Sequence, residues 1–315
     1  MYNSNMLYVW DIVGHHNQLS NLENEIKTGN IAHAYLFSGP VQTGKFRIAR
    51  KFAAILQCPN NYCGTCPTCI QIQKKVHSDT MVMNDNGESI KIDDIRNLIR
   101  KTNLTHQGLQ RIIIMENIER MPSEAQNSFL KTLEEPPSKT IFIMTTNQID
   151  EILPTIQSRV RHYHFPTVPY ATLKKYLKEN FSQSNNLDEI LSIAQGRPGL
   201  AINMIQDSSE LSAQRELYVR IESFLKNNNL ANKFVFVEEI AKDPEKIDLF
   251  IDACMRYLRK LLFDYMQPEE HSLQTRFSLE KLVNLFEYLE KTRYLLRRNV
   301  NKRLLLENLL IQTEV

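Results

Sequence analysis

Apolar residues along the chain fall into two kinds of pattern, and the change from one to the other divides it. In the first half, short unbroken apolar runs alternate with stretches of helical period. "AYLFSGP" (34–40) is such a run, broken by Gly-Pro, and "TGKFRIARKFAAILQ" behind it repeats Phe46, Ile48, Ala49, Phe52, Ala53 and Leu56 at helical spacing. "RIIIMENI" (111–118) and "TIFIMTTN" (140–147) are further branched runs of strand length. Between them, "PSEAQNSFLKTLEE" begins with a Pro suited to a helix's first turn and sets Ala125, Phe129, Leu130 and Leu133 on one face, before "PPSK" (136–139) breaks the pattern. Strands alternating with helices predict a largely parallel sheet covered on both sides. After "YHFPTVP" (163–169) the strand-like runs stop. "ATLKKYLKENF", "NLDEILSIAQ" and "GLAINMIQD", joined by "SQSNN" and "GRPG", predict three short helices. From about residue 208 longer amphipathic stretches follow, the last carrying Leu279, Leu282, Phe286 and Leu289 as a helical stripe. There are no repeats and no low-complexity tract.

Composition narrows the classes that such a chain can belong to. With 315 residues, 42% hydrophobic and 23% charged, it has room for about two or three cores of ordinary size. A formal net charge of +2 leaves no chain-wide electrostatic footprint, so nucleic-acid contact would have to be local or shared with partners. "MYNSNMLYVWDIVGHH" has neither the basic start nor the long apolar core of a signal peptide, and no apolar run approaches the ~20 residues of a spanning helix. A cytoplasmic protein is expected.

Two stretches carry chemistry. In "CPNNYCGTCPTC", Cys58, Cys63, Cys66 and Cys69 follow the spacing of a four-thiolate tetrahedral zinc site in a reducing compartment. Four ligands close the coordination shell, so the expected role is structural; free surface thiols or disulfides are the alternatives. Cys254, in "LFIDACMRYL", reads as a buried core thiol. In "SGPVQTGKF", Gly39, Gly44 and Lys45 follow a strand and open a helix, the context in which backbone N–H groups and a lysine cradle phosphates. The next residue is Phe46, where such a loop needs a hydroxyl to ligate magnesium. In "IIIMENIERM" a carboxylate stands at Glu116, but the following position, that of a water-activating glutamate, is Asn117, which cannot take a proton. Weak or absent binding of ATP with magnesium follows from the first departure, and impaired hydrolysis from both.

"NIAHAYLFSGP…TGK", the cysteine cluster, "NIERMPSEAQNSFLKTLEEPPSKTIFIMTTN", "ILPTIQSRV", "GRPGLA" and "NVNKRLLLENLL" together resemble the bacterial clamp-loader AAA+ proteins along almost the whole chain. Within that family the pattern is most similar to the delta-prime subunits of DNA polymerase III, with the gamma/tau motors as near relatives. The resemblance implies an AAA+ P-loop α/β domain over 1–165 with a zinc module inserted at 58–69, a three-helix lid over 166–207, and an all-α collar over 208–315 that joins a hetero-pentamer. It further implies motor (gamma/tau) and delta subunits as partners, a sliding clamp and primed DNA met through the assembled complex, and a degraded nucleotide site. Arg159, in "QSRV", falls where the family carries an arginine finger that reaches ATP on the adjacent motor subunit; Val160 replaces the family's cysteine.

Three functions are therefore open: a non-hydrolysing clamp-loader subunit, an ATP-hydrolysing gamma/tau-like motor, and a zinc-dependent nucleic-acid-binding module on a P-loop scaffold. Phe46 and Asn117 weigh against the second, and near-neutral charge without a basic-aromatic groove against the third. Lesser features read more plainly. Thr145, Thr146 and Asn147 close a strand where AAA+ proteins place a phosphate-sensing group; ending the strand is the equal alternative. Arg197 in "GRPG" stands where it could approach a nucleotide from the lid, but it suits a turn better, since Gly199 falls where motors carry a sensing arginine. His15, His16, His33, His162 and His164 read as packing or surface residues, Glu134 and Glu135 as helix-end charges, and "RYLLRRNVNKR" (293–303) as a solvated helix face rather than a DNA contact.

Overall fold

Alternation within three apolar strands builds the first unit. In the computed structural model, which describes residues 7–60, 62–74, 76–84, 89–102, 110–184, 186–226, 230–242, 244–266, 278–296 and 300–312, the chain divides into two units. The first comprises residues 1–183 and 196–201, the second 184–195 and 202–315. The start of the N-terminal stretch (1–6) and residues 297–299 of the basic run lie outside the described residues.

Unit one runs α1 (His16–Thr28), β1 (Ala34–Ser38), α2 (Lys45–Gln57), α3 (Pro67–Gln73), β2 (Thr80–Met83), α4 (Ile92–Thr102), β3 (Arg111–Met115), α5 (Ser123–Glu134), β4 (Thr140–Thr146), α6 (Pro154–Gln157), β5 (Arg161–His164) and α7 (Tyr170–Asn180). The strands form one sheet in the order β2-β3-β4-β1-β5, with every pairing parallel. Because strand side chains alternate, each central strand feeds two cores. Tyr35, Phe37, Ile112, Ile114, Ile141 and Ile143 pack with Leu19 and Leu22 of α1 and Ile48 and Phe52 of α2. Their neighbours Leu36, Ile113, Met115, Phe142 and Met144 pack on the opposite face with Ile95 of α4 and Phe129 and Leu133 of α5. The parallel sheet covered on both sides is the expected one. Pro122 caps α5 from one position before its first turn rather than within it.

The order also fixes where a site can form. β1 sits between β4 and β5, while the chain leaving β1 crosses to the far edge of the sheet. Strand order therefore reverses between β1 and β4, and a crevice opens beyond their carboxyl ends. Gly39 follows β1 there with φ +143°, and a Cβ on it would stand 2.1 Å from the Phe165 carbonyl oxygen, so only glycine lets the chain end of β5 lie against the loop.

The remaining helices are α8 (Leu187–Ala194), α9 (Pro198–Gln206), α10 (Ser208–Lys226), α11 (Leu230–Ala241), α12 (Pro244–Met266), α13 (Leu279–Leu296) and α14 (Lys302–Gln312). The division between units passes within α9. Unit two has its own core, in which Ile221, Phe224, Ile251, Leu258, Leu282 and Leu306 are buried. Cys254 belongs to it at 2% exposure, and burial raises its thiol pKa, as expected of a core residue. Of the basic run, Arg303 pairs with Glu307 and Glu238. No helix among the described residues is long and apolar enough to cross a membrane.

Candidate functional site

The crevice beyond β1 and β4 holds the loop from Gly39 to Gly44. Gly44, at φ +100°, turns the chain into α2, so the amino end of that helix faces the crevice with Lys45 as its first residue. Lys45 is 5% exposed, and its ammonium donates to the carbonyls of Gly39 (2.8 Å) and Pro40 (2.7 Å) and to Asn147 Oδ1 (2.8 Å). An ammonium has three N–H groups, so these acceptors engage all of them. Asn147, just past β4, in turn donates through Nδ2 to Asn117 Oδ1 (2.7 Å) and Glu119 Oε1 (3.1 Å). Its backbone N–H also donates to Glu119 (3.1 Å), and the Asn117 N–H donates to Thr145 Oγ1 (3.2 Å). Of the polar strand end 145–147, Asn147 is thus the residue that meets the loop lysine.

Glu116 follows β3, its N–H bonded to the Met83 carbonyl (3.0 Å), and its charge acts on Lys45. Gly39, Gly44, Lys45 and Glu116 therefore lie around one crevice. The Phe46 ring is half-buried against the core formed by α1, α2 and the sheet. A ring packed there offers no oxygen to a magnesium ion.

Glu119 was not named from the sequence, and Arg197 and Gly199 were named there without the partners they meet. Glu119 lies three residues beyond Glu116 and reaches Asn147. Arg197, read as a turn residue, is 7% exposed and lies close enough to Lys45 to depress its pKa. Gly199 donates its N–H to the carbonyl of Gln42 (2.9 Å), and a Cβ at this position would meet that oxygen at 2.9 Å. All three depend on contacts between segments far apart in the chain. Of the histidines, His15 is buried against Phe165 and bonds the Thr43 carbonyl through Nε2 (3.1 Å), while His162 and His164 flank Ser38 at 2.6 and 3.1 Å.

Burial pushes the Lys45 ammonium down to about 8; Glu119 opposes the fall, Arg197 adds to it and Glu116 opposes it. An unfolded chain keeps its lysine protonated to about 10.4, so between these values the unfolded state binds more protons and stability rises with pH. Below pH 8 the cost of burying the charge is fully present. Lys45→Met is therefore expected to destabilise by about 1–3 kcal/mol at neutral pH, through the acceptors it leaves unpaired, and by more at a pH of about 9.5. Urea unfolding of both proteins at the two pH values checks this; a deficit that shrinks with pH would refute it.

Arg159 lies elsewhere in unit one, in the turn between α6 and β5. Its Nε and Nη2 both donate to Glu134 Oε1 (3.1 and 2.7 Å), and Nη1 donates to the Thr155 carbonyl (2.9 Å) and Ser158 Oγ (3.1 Å). Arg161, two residues on, is held separately by Glu25 (2.9 Å) and the Asn30 carbonyl (2.8 Å). Arg159 and Arg161 line an open depression of about 550 Å³.

The cysteine cluster closes the end of α2. Cys58 follows Gln57, Cys66 caps α3, and Cys69 lies within it. All four sulfurs fall within 4.8 Å of one another, with Cys58 4.0 Å from Cys63 and 3.7 Å from Cys66. Four sulfurs held about 2.3 Å from a tetrahedral ion would be about 3.8 Å apart, so the set fits a thiolate metal site. Backbone N–H groups of Cys66 and Cys69 donate to the sulfurs of Cys63 (3.3 Å) and Cys66 (3.4 Å), contacts that favour thiolates. A backbone hydrogen bond and then the hydroxyl of Thr65 hold the Cys63 thiol down to about 6.

Fold and sites together define a P-loop α/β protein with a four-thiol cluster able to hold a metal ion and a helical C-terminal part. The family described as "DNA polymerase III, delta subunit" matches residues 14–169. The chain is 27% identical to a DNA polymerase III subunit delta' of Pseudomonas aeruginosa over 300 residues, covering 89% of this chain and 91% of that protein. It is 34% identical to a gamma/tau subunit of Mycobacterium tuberculosis over 173 residues, which is 53% of this chain and 30% of that longer relative. A gamma subunit-related protein of Thermotoga maritima superposes with a TM-score of 0.46 at 20% identity, covering 93% of this chain and 98% of the other. These similarities support a member of the DNA polymerase III clamp-loader family.

Proposed function

We propose that this chain is a non-hydrolysing, delta-prime-like subunit of a bacterial clamp loader. It helps to load the sliding clamp onto primed DNA during replication, and it supplies Arg159 to ATP held by a neighbouring motor subunit. The observation that carries this reading is Phe46: the position that must offer a hydroxyl to magnesium carries a ring, half-buried against the core. Asn117 beside Glu116 and the fully engaged Lys45 support it.

In this reading 1–165 is the AAA+ domain, 166–207 the lid and 208–315 the collar of a cytoplasmic hetero-pentamer with gamma/tau-type and delta subunits. Cys58, Cys63, Cys66 and Cys69 hold a structural zinc ion. The P-loop and Glu116 survive as framework rather than as machinery. Arg159 places a positive charge at the oxygens of the transferring phosphoryl group, where charge develops and where a fixed cation lowers the barrier.

The test is ATP turnover by a purified gamma/tau-type subunit with delta, clamp and primed DNA, with and without this chain. Turnover is expected to rise strongly on its addition, while the chain alone hydrolyses nothing. Intrinsic magnesium-dependent turnover by the isolated chain would point instead to a motor subunit.

A further inference from the structure

We propose that Glu134 is a positioning residue for Arg159: it holds the guanidinium in cis and sets how readily that group is released to a phosphate in trans. The inference rests on the trans-acting reading of Arg159 given above.

The pairing is a product of the fold, not of local sequence. Glu134 ends α5, and the chain passes through β4 and α6 before returning to Arg159 beside it. The hydrogen bonds to Glu134, Thr155 and Ser158 occupy four N–H groups of the guanidinium, which has five. A phosphate oxygen approaching Arg159 therefore finds at most one donor available, and two-pronged binding requires an acceptor to be displaced.

Of the three acceptors, Glu134 is the charged one, so it competes most directly with a phosphate for the same cation. It is also the one that can yield. The Glu134 side chain is 50% exposed and that of Arg159 36%, and ion pairs this open shift an equilibrium by no more than about fivefold. Thr155 and Ser158, by contrast, lie on the same turn as Arg159 and move with it. Glu25 is engaged by Arg161, Tyr35 and Tyr163 and so does not substitute for Glu134. The depression lined by Arg159 leaves room for the group that displaces the carboxylate. The arrangement is a weak clasp, strong enough to orient a long side chain and weak enough to surrender it to a more highly charged phosphate.

The test substitutes Glu134→Gln, which keeps the length and an acceptor oxygen but removes the charge. Both side chains are at least a third exposed, so the variants are expected to fold, which thermal unfolding verifies. ATP turnover is measured for the motor subunit assembled with the wild-type chain, E134Q, R159A or the double variant. The expected result is a kcat about two- to fivefold higher with E134Q, an unchanged KM for ATP, and no effect of E134Q in the R159A background. If R159A abolishes turnover but E134Q leaves kcat unchanged or lowers it, the clasp is overturned and the finger stands. A gain from E134Q that persists without Arg159 also overturns the clasp. If R159A itself has no effect, the trans-acting reading fails, and the inference with it.

Discussion

Arg159→Ala is expected to lower the ATP turnover of the assembled motor subunit by about a thousandfold, at the lower end of what trans-acting arginines contribute in other nucleotide hydrolases. The loss should appear in kcat. A guanidinium that meets the phosphoryl group as charge develops acts on the transition state, whereas the motor subunit's own loop binds the ground-state nucleotide. Stability should barely change, because the side chain is partly exposed and its ion pair with Glu134 lies at the surface. That separation makes the prediction sharp: size-exclusion chromatography should find the variant assembled, and thermal unfolding should find it intact. Arg159→Lys should recover little, since a point charge on a flexible stem does not reproduce the planar fork. Turnover within a few-fold of the wild type in an intact assembly would remove the catalytic role.

The second large effect concerns the thiols. Chelation, or Cys58→Ser, is expected to reduce bound zinc from about one ion per chain to near zero. Cys58 comes directly after α2, and Cys69 is completely buried in α3, so an ion held by the four thiols would tie a loop of turns to a helix at the margin of the first core. In small zinc modules metal binding is worth about 10–16 kcal/mol and is inseparable from folding. Here the sheet stands on two apolar cores of its own, so only part of that should reach the global transition. A melting temperature lower by about 5–10 °C is expected, given that about 1 kcal/mol moves a domain of this size by about 2–4 °C. Proteolysis should begin within residues 59–66. Metal analysis of reduced protein together with a melting curve decides it; full stability and resistance to protease without zinc would contradict the structural role.

Much of this was written in local pattern, and the rest was not for identifiable reasons. β1, β3 and β4 are near-continuous apolar runs because both of their faces are buried, and such runs are recognisable without knowing their neighbours. The loop and the thiol cluster were equally legible, since their chemistry depends on spacing along the chain. β2, with "TMVM", is a short edge strand only partly covered, and its sequence offers too little contrast to stand out. β5, "RHYH", has polar side chains at three of its four positions and pairs with β1 at the edge of the sheet.

The site divides in the same way. Lys45, Glu116 and Asn147 each lie at the end of a recognisable strand or loop, and so could be named in advance. What each one touches could not. Glu134 read as a helix-end charge because its partner lies 25 residues away across a strand, and Arg197 read as a turn because its burial near Lys45 depends on tertiary contacts. Sequence reasoning supplies the inventory of chemical groups, and the fold decides which pairs meet.

A subunit that acts on a neighbour's nucleotide has no need to hold its own. Calorimetric titration of ATP into the isolated chain, with and without magnesium, separates that role from a motor's. With a phenyl ring at Phe46 in place of a hydroxyl and all three donors of Lys45 engaged, weak binding or none is expected, and no gain in affinity on adding magnesium. Tight binding that depends on magnesium would contradict it and restore the chain to the hydrolysing members of its family.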